Sequence, residues 1–226
     1  LAKAGLRLDQ IDLIAVTRAP GLIGPLLVGL SGAKALALSQ SRPLIGVNHL
    51  AAHLLAARLL PEPPDYPFLG LIASGGHSAL YRVDGPTSFT RLGGTRDDAA
   101  GEAYDKVAKL LGLGYPGGMV IDRLAKSGNP SAYAFPRALR RKDTLDFSFS
   151  GLKTAVRTVV AQNPPTPEQL PDLCASFQEA AVDTLLSKCS LALAQTGLKR
   201  LVLAGGVAAN SRLREKSQIL AKKMRI

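Results

Sequence analysis

DLIAVTRAPGLIGPLLVGLSGAKALALSQSRPLIGVNHLAAHLLAARLL, residues 12–60, reads as strand, helix, strand, helix. The apolar run DLIAV (12–16) has strand composition and opens onto a Gly/Pro turn, APGLIG (19–24). Pro25 suits the first position of a helix, where its missing N–H is not needed. That helix runs through LLVGLSGAKALALSQ, and a second short strand, LIGV (44–47), leads to a helix from about His49 to Leu60. Strand-like runs alternating with 3.6-periodic segments are the α/β pattern.

Working outward, PEPPDYP (61–67) is a Pro-rich connector and marks a boundary between residues 1–66 and 67–226. Beyond it, FLGLIAS (68–74) and SALYRV (78–83) read as strands joined by Gly75-Gly76-His77, and TSFTRLGG adds a third. Helical periodicity follows at 97–113, in MVIDRLAKSG, at 151–162 and at 167–196, while 129–148 is irregular. A strand, RLVLAG (200–205), and a basic helix at about 209–225 complete the chain.

At 226 residues, 46% hydrophobic and 20% charged, the chain has ample material for a core and does not have a disordered composition. No window approaches about 18 apolar residues, so no membrane span is expected, and LAKAGLRLDQ lacks a signal-peptide core. Cys174 and Cys189 have no CxxC spacing, which points away from a zinc ribbon and toward a cytoplasmic protein. A net charge of +11 suits a polyanionic partner. Basic residues cluster at Arg137, Arg140, Arg141 and Lys142 and again from Arg212 to Arg225, as phosphate-backbone contacts to a tRNA would require or as an ordinary solvated surface would show.

Four constellations could carry chemistry. His49 and His53 are four apart on a helix, so both imidazoles share a face at a two-ligand metal spacing. Such a pair on an Ala/Leu helix is more often incidental, and two ligands leave a site incomplete. A metallopeptidase HExxH helix needs a Glu beside the first His as base; here the sequence is His49-Leu50-Ala51-Ala52-His53. Ser74-Gly75-Gly76-His77 is either an anion nest or a plain hairpin turn, and Ala204-Gly205-Gly206-Val207 runs toward a helix N-terminus that would favour a phosphate. Asp98, Glu102, Asp105 and Lys109 fall on one helical face, where salt bridging is the default. Gly101 inside that helix costs about 1 kcal/mol relative to Ala, which a close backbone approach would explain.

Taken together, VTRAPGLIGPLLVGLSGAKALA, HLAAH, SGGHSAL, DDAAGEAYDKVAKLLGLGYPGG, DFSFSGLKT and LAGGVAANSRLR resemble, in order and over nearly the whole chain, the tRNA N6-adenosine threonylcarbamoyltransferase family, once called O-sialoglycoprotein endopeptidases. The resemblance implies an α/β, actin-like ATPase or sugar-kinase-like two-lobed fold. It implies transfer of threonylcarbamoyl from its adenylate to N6 of adenosine 37 in tRNAs reading codons that begin with A. By motif, His49 and His53 correspond to ligands of a divalent metal, with iron (Fe2+) expected. Ile72, Ala73, Ser74, Gly75 and Gly76 correspond to a stretch lining the site for ATP or threonylcarbamoyl-adenylate. Asp105, Gly118 and Asn210 occupy the family's other substrate-binding positions, with Asp122 an addition. Implied partners are tRNA, a paralogous actin-like subunit and a small ATPase, in the cytoplasm or an organelle of bacterial descent. DFSFSGLKT resembles the bacterial or organellar branch.

Against that family pattern, Thr17-Arg18-Ala19-Pro20-Gly21 carries Ala where the family has Gly. An opening hairpin and a C-terminal Asp that completes the metal site are expected to lie outside these residues, leaving the 226-residue piece inactive by itself. Two other classes share parts of the pattern. A metal-dependent glycoprotein endopeptidase lacks its base here, and a non-catalytic nucleotide-binding subunit of the same fold would not need the His pair.

Overall fold

A computed structural model describes residues 1–139 and 143–226. Arg140, Arg141 and Lys142 of the basic cluster lie outside the described residues. The chain forms two compact units, Leu1–Ala56 and Ala57–Ile226, and the Pro-rich segment 61–67 belongs to the second.

In the first unit, β1 (Ile14–Ala19) and β2 (Leu44–Asn48) pair in parallel, with Ile14 opposite Leu44 and Val16 opposite Gly46. Parallel neighbours need a crossover, and α1 (Ile23–Ser39) supplies it. Pro25 is the third residue of α1 instead of the first. No bond is lost there, because the first four amides of any helix lack an intrahelical acceptor. The second helix, α2 (His49–Leu55), starts at once after β2 because Asn48 caps it, Oδ1 accepting from the amides of Leu50 (2.9 Å) and Ala51 (3.2 Å). It is shorter than the sequence pattern suggests, tightening into a 3₁₀ turn over Ala56–Leu59.

The second unit is built on a four-stranded sheet in the order β5–β4–β3–β6. The strand β3 (Phe68–Ala73) is buried along its whole length, which is why it reads as an unbroken apolar run. It pairs antiparallel with β4 (Ser78–Gly85) and parallel with β6 (Leu201–Ala204), and β5 (Ser88–Gly94) adds to β4. Between β5 and β6 the chain forms α3 (Ala100–Leu110), α4 (Gly117–Ala125), α5 (Ser150–Gln162) and α6 (Leu170–Thr196), and α7 (Ser211–Met224) follows β6. Of these, α6 is the central one, burying Leu173, Phe177, Ala181 and Leu185 in the core. Its buried polar groups find partners: Ser176 Oγ donates to the Asn129 carbonyl at 3.1 Å and Lys188 Nζ to the Thr144 carbonyl at 2.7 Å. Gly197, at φ +69°, closes α6 in the left-handed conformation that a residue with Cβ adopts only under strain.

The helix expected over 97–113 is shorter, because both aspartates ahead of it are used elsewhere. Asp97 bonds to the start of α5, and Asp98 sits between Lys106 (2.7 Å) and Lys153 (3.4 Å). Asp98 therefore precedes α3 and is not on its face, although the salt bridging expected there exists, Lys106 also meeting Glu102 at 2.8 Å.

Candidate functional site

The second unit contains a cavity of about 300 Å³ where α3, α4, the β3–β4 hairpin and the turn before α7 converge. Close backbone approach makes it. A Cβ on Gly101 would sit 2.7 Å from the Ser74 carbonyl oxygen, and the Gly101 amide donates to that same oxygen at 3.1 Å. A Cβ on Gly117 would lie 2.8 Å from the Tyr104 carbonyl oxygen and 2.5 Å from the Ala108 Cβ, so α4 starts directly against α3. Gly205, at φ +92°, leaves only 2.5 Å between such a Cβ and the Ala73 carbonyl oxygen. Three glycines thus let four chain segments meet around one space.

Side chains then fix the rim. Asp105 Oδ1 accepts from the Gly117 amide at 2.8 Å, tying the Tyr115-Pro116-Gly117-Gly118 loop to α3. Asn210 is buried; its Oδ1 caps α7 through the Leu213 amide (2.9 Å), and its Nδ2 donates to Gln178 Oε1 (2.7 Å). Asp122 accepts from the Ser211 hydroxyl at 2.7 Å and from its amide at 3.2 Å. The first turn of α7, which the sequence offers to a phosphate, is therefore occupied by Asn210 and Asp122. The Gly205-Gly206 pair leads first into a 3₁₀ turn (Gly206–Ala209) and only then into α7.

Gly75, Asp105, Gly118, Asp122 and Asn210 all line this cavity. Ile72 and Ala73 are buried strand residues, and neither they nor Ser74 and Gly76 are among the lining groups. Locally Ser74–His77 is a hairpin loop, the Ser74 amide donating to the His77 carbonyl at 2.8 Å, while its Gly75 faces the cavity. Tyr104, Gly101, Met119 and Val207 line the cavity without having been singled out as binding residues. Only Gly101 carried a local signal, its helical cost. Tyr104 stands edge-on to Phe177 at 5.0 Å, and its buried hydroxyl has no hydrogen-bond partner among the described residues. Burial, with Asp122 and Glu179 nearby, pushes that hydroxyl's pKa up, so it remains a donor.

In the first unit, His49 and His53 bring their rings within 4.4 Å, centroid to centroid, at 63°. Among the described residues no group of three or more His, Cys, Asp or Glu side chains gathers as a metal site.

The family model for tRNA N6-adenosine threonylcarbamoyltransferase matches residues 1–226. The chain belongs to that family. Among its tRNA N6-adenosine threonylcarbamoyltransferase relatives, that of Trichlorobacter lovleyi is 57% identical over 100% of this chain and 66% of its own length. That of a Geobacter species is 60% identical over 95% and 63%. The chain thus spans about two thirds of the length of these threonylcarbamoyltransferase relatives. Among solved structures, full-length HypF in a phosphate- and nucleotide-bound form aligns with a TM-score of 0.68 at 16% identity, over 92% of this chain and 42% of that one. HypF of T. kodakarensis aligns at 0.67 and 15%, over 96% and 37%. These likenesses give the fold: the mixed α/β, actin-like ATPase and kinase type expected from the sequence.

Proposed function

We propose that this chain carries the nucleotide-holding part of a tRNA N6-adenosine threonylcarbamoyltransferase. The reaction moves the threonylcarbamoyl group from threonylcarbamoyl-adenylate to N6 of adenosine 37 in tRNAs that read codons beginning with A. The amine attacks the carbamoyl carbon, the bond to the phosphate oxygen breaks, AMP leaves, and the amine loses a proton. The mixed anhydride brings its own leaving group, so the protein's task is chiefly to hold two large reactants in register.

The observation that carries this reading is the cavity rimmed by Gly75, Asp105, Gly118, Asp122 and Asn210. Its backbone-lined floor suits a flat base and ribose. Asp105 keeps one oxygen on Gly117 and has a second acceptor for a ligand hydroxyl or amine. His49 and His53, in the first unit, are the residues that would hold iron or another divalent ion, which would supply Lewis-acid chemistry. A paralogous actin-like subunit, a small ATPase and a cytoplasmic setting complete the proposal. No helix among the described residues is long and apolar enough to cross a membrane.

Calorimetric titration of AMP and of a stable threonylcarbamoyl-adenylate analogue tests it. Asp105→Ala is expected to weaken binding by about tenfold, the worth of one hydrogen bond that is charge-assisted. Nucleotide binding that is absent, or indifferent to Asp105, would overturn the reading.

A further inference from the structure

The nucleotide cavity is short of positive charge. Two carboxylates, Asp105 and Asp122, stand in its lining, and among the described residues no Lys, Arg or His joins them. Asn210 and Asp122 already occupy the first turn of α7, where an anion could otherwise settle. Threonylcarbamoyl-adenylate carries two anionic groups, its phosphate and the carboxylate that threonine keeps when its amine is carbamoylated. Such a lining suits the nucleoside and leaves those two groups to be met elsewhere, because a charge out of water needs a partner.

A second concavity, of about 700 Å³, adjoins the first and shares Gly75 and Asp105 with it. A Cβ built on Gly75 would meet nothing within 4 Å, so the junction is open. Beyond it the lining includes Glu102, Lys106 and Lys109. Lys106 is already held, by Asp98 at 2.7 Å and by Glu102 at 2.8 Å. Lys109 is exposed and has no ion pair among the described residues, although Asp105 stands one turn before it on α3. Asp105 is turned to the Gly117 amide instead.

We infer that Lys109 is a specificity-determining residue, its ammonium taking the threonyl carboxylate while the nucleoside lies at Asp105 and the phosphate at Gly75. The inference rests on the transferase reading and names the residue that tells a threonylcarbamoyl arm from a plain adenylate. One helical turn separates Asp105 from Lys109, about 6 Å along α3, a span that the carbamoyl linkage between phosphate and carboxylate matches. Lysine offers a compact charge on a flexible stem, which suits a carboxylate at the end of a movable arm. The phosphate is the competing occupant of Lys109, and AMP carries it without the arm.

The test is calorimetric titration of the full chain with AMP, with a stable threonylcarbamoyl-adenylate analogue, and with that analogue's carboxylate converted to a carboxamide. Lys109→Gln is expected to weaken the carboxylate analogue about tenfold, the loss of one charge-assisted hydrogen bond, and AMP by less than about twofold. Lys109→Arg, which keeps the charge, should retain most of the affinity. The carboxamide should bind the parent about tenfold more weakly than the carboxylate and be indifferent to Lys109→Gln, since both changes remove one and the same contact. Lys222→Gln on α7, outside both concavities, is the control for a lost charge. If AMP and the analogue lose affinity equally, Lys109 meets the phosphate and the carboxylate assignment falls. If the parent binds both and Lys109→Gln does no more than the control, Lys109 has no part in the site and the transferase reading stands. If the parent binds neither AMP nor the analogue, both fall.

Discussion

Asp97 Oδ1 lies 2.8 Å from the amide nitrogen of Phe149, 52 residues further along the chain. The same carboxylate accepts from the Ser150 amide (3.3 Å) and from the hydroxyls of Ser148 (2.5 Å) and Ser150 (2.8 Å). No side chain of its own caps α5, so Asp97 does this from a distant segment. Burial alone would raise the Asp97 carboxyl pKa, but these donors outweigh it and leave it lowered. Asp97→Ala should therefore cost about 2 kcal/mol, a cap plus a bond to a charged acceptor. Asp97→Asn, which keeps one acceptor, should cost less. Urea unfolding of the three proteins checks this, and equal midpoints would remove Asp97 from the account.

That contact also marks the limit of what the sequence discloses. The apolar run at 68–73 declares itself as a strand, because burial on both faces demands uninterrupted hydrophobic residues, and the run at 201–204 is apolar too although three of its four residues are only partly buried. HLAAH declares a shared helical face by spacing alone. Asp97 and Asp98 look like two more acidic residues ahead of a helix, and nothing local says that one caps α5 and the other gathers two lysines. Asp122 at the start of α7 is equally silent, since its partner Ser211 is 89 residues away. Among the cavity residues, those in glycine pairs or on a periodic face were legible. Tyr104 and Met119 became visible only once α3 and α4 had been packed.

Gly101 was the exception, because a glycine within α3 is costly by itself. Ala there would gain about 1 kcal/mol of helix propensity if space allowed. Space does not allow it: the added Cβ meets the Ser74 carbonyl oxygen at 2.7 Å and the Gly75 Cα at 2.8 Å, backbone atoms that cannot swing away. Gly101→Ala is expected to lose a net 1–3 kcal/mol, roughly the cost of overpacking, and to weaken AMP binding by displacing the hairpin that carries Gly75. Thermal unfolding together with calorimetry reads both. A stabilised variant with normal binding would show that the hairpin yields easily.

Acid stability should centre on Glu179. Burial would raise its pKa, but Arg212 grips it through Nε (2.7 Å) and a second nitrogen (3.1 Å), and Lys216 adds a contact at 2.5 Å. These cations bring it from 4.5 down to about 2. A carboxyl lowered on folding stabilises fully above its unfolded pKa, and that contribution drains away as pH falls from about 4.5 toward 2. Glu179→Gln should cost about 2–3 kcal/mol at neutral pH, by the same linkage, and flatten this acid limb. Lys216 also pairs with Asp183, which Arg137 holds at 2.9 Å, so α6 and α7 should loosen together. Denaturant midpoints measured between pH 2 and 7 for both proteins decide it, and parallel curves would rule Glu179 out.

Asn210 presents two claims on one side chain, a candidate substrate contact and a structural bracket. Its amide donates to Gln178 Oε1 at 2.7 Å in a buried setting, while its oxygen caps α7. Asn210→Ala removes the cap, about 1 kcal/mol, and strands the buried Gln178 oxygen, about 1–3 kcal/mol more. Gln178→Met in that background removes the stranded group while keeping a similar volume, so it should recover stability. The two substitutions should then couple by about 1 kcal/mol or more in a double-mutant cycle. Nucleotide affinity separates the two claims. If the double variant regains stability yet still binds AMP poorly, Asn210 touches the ligand directly; if affinity returns with stability, its part in binding is to hold the start of α7 in place.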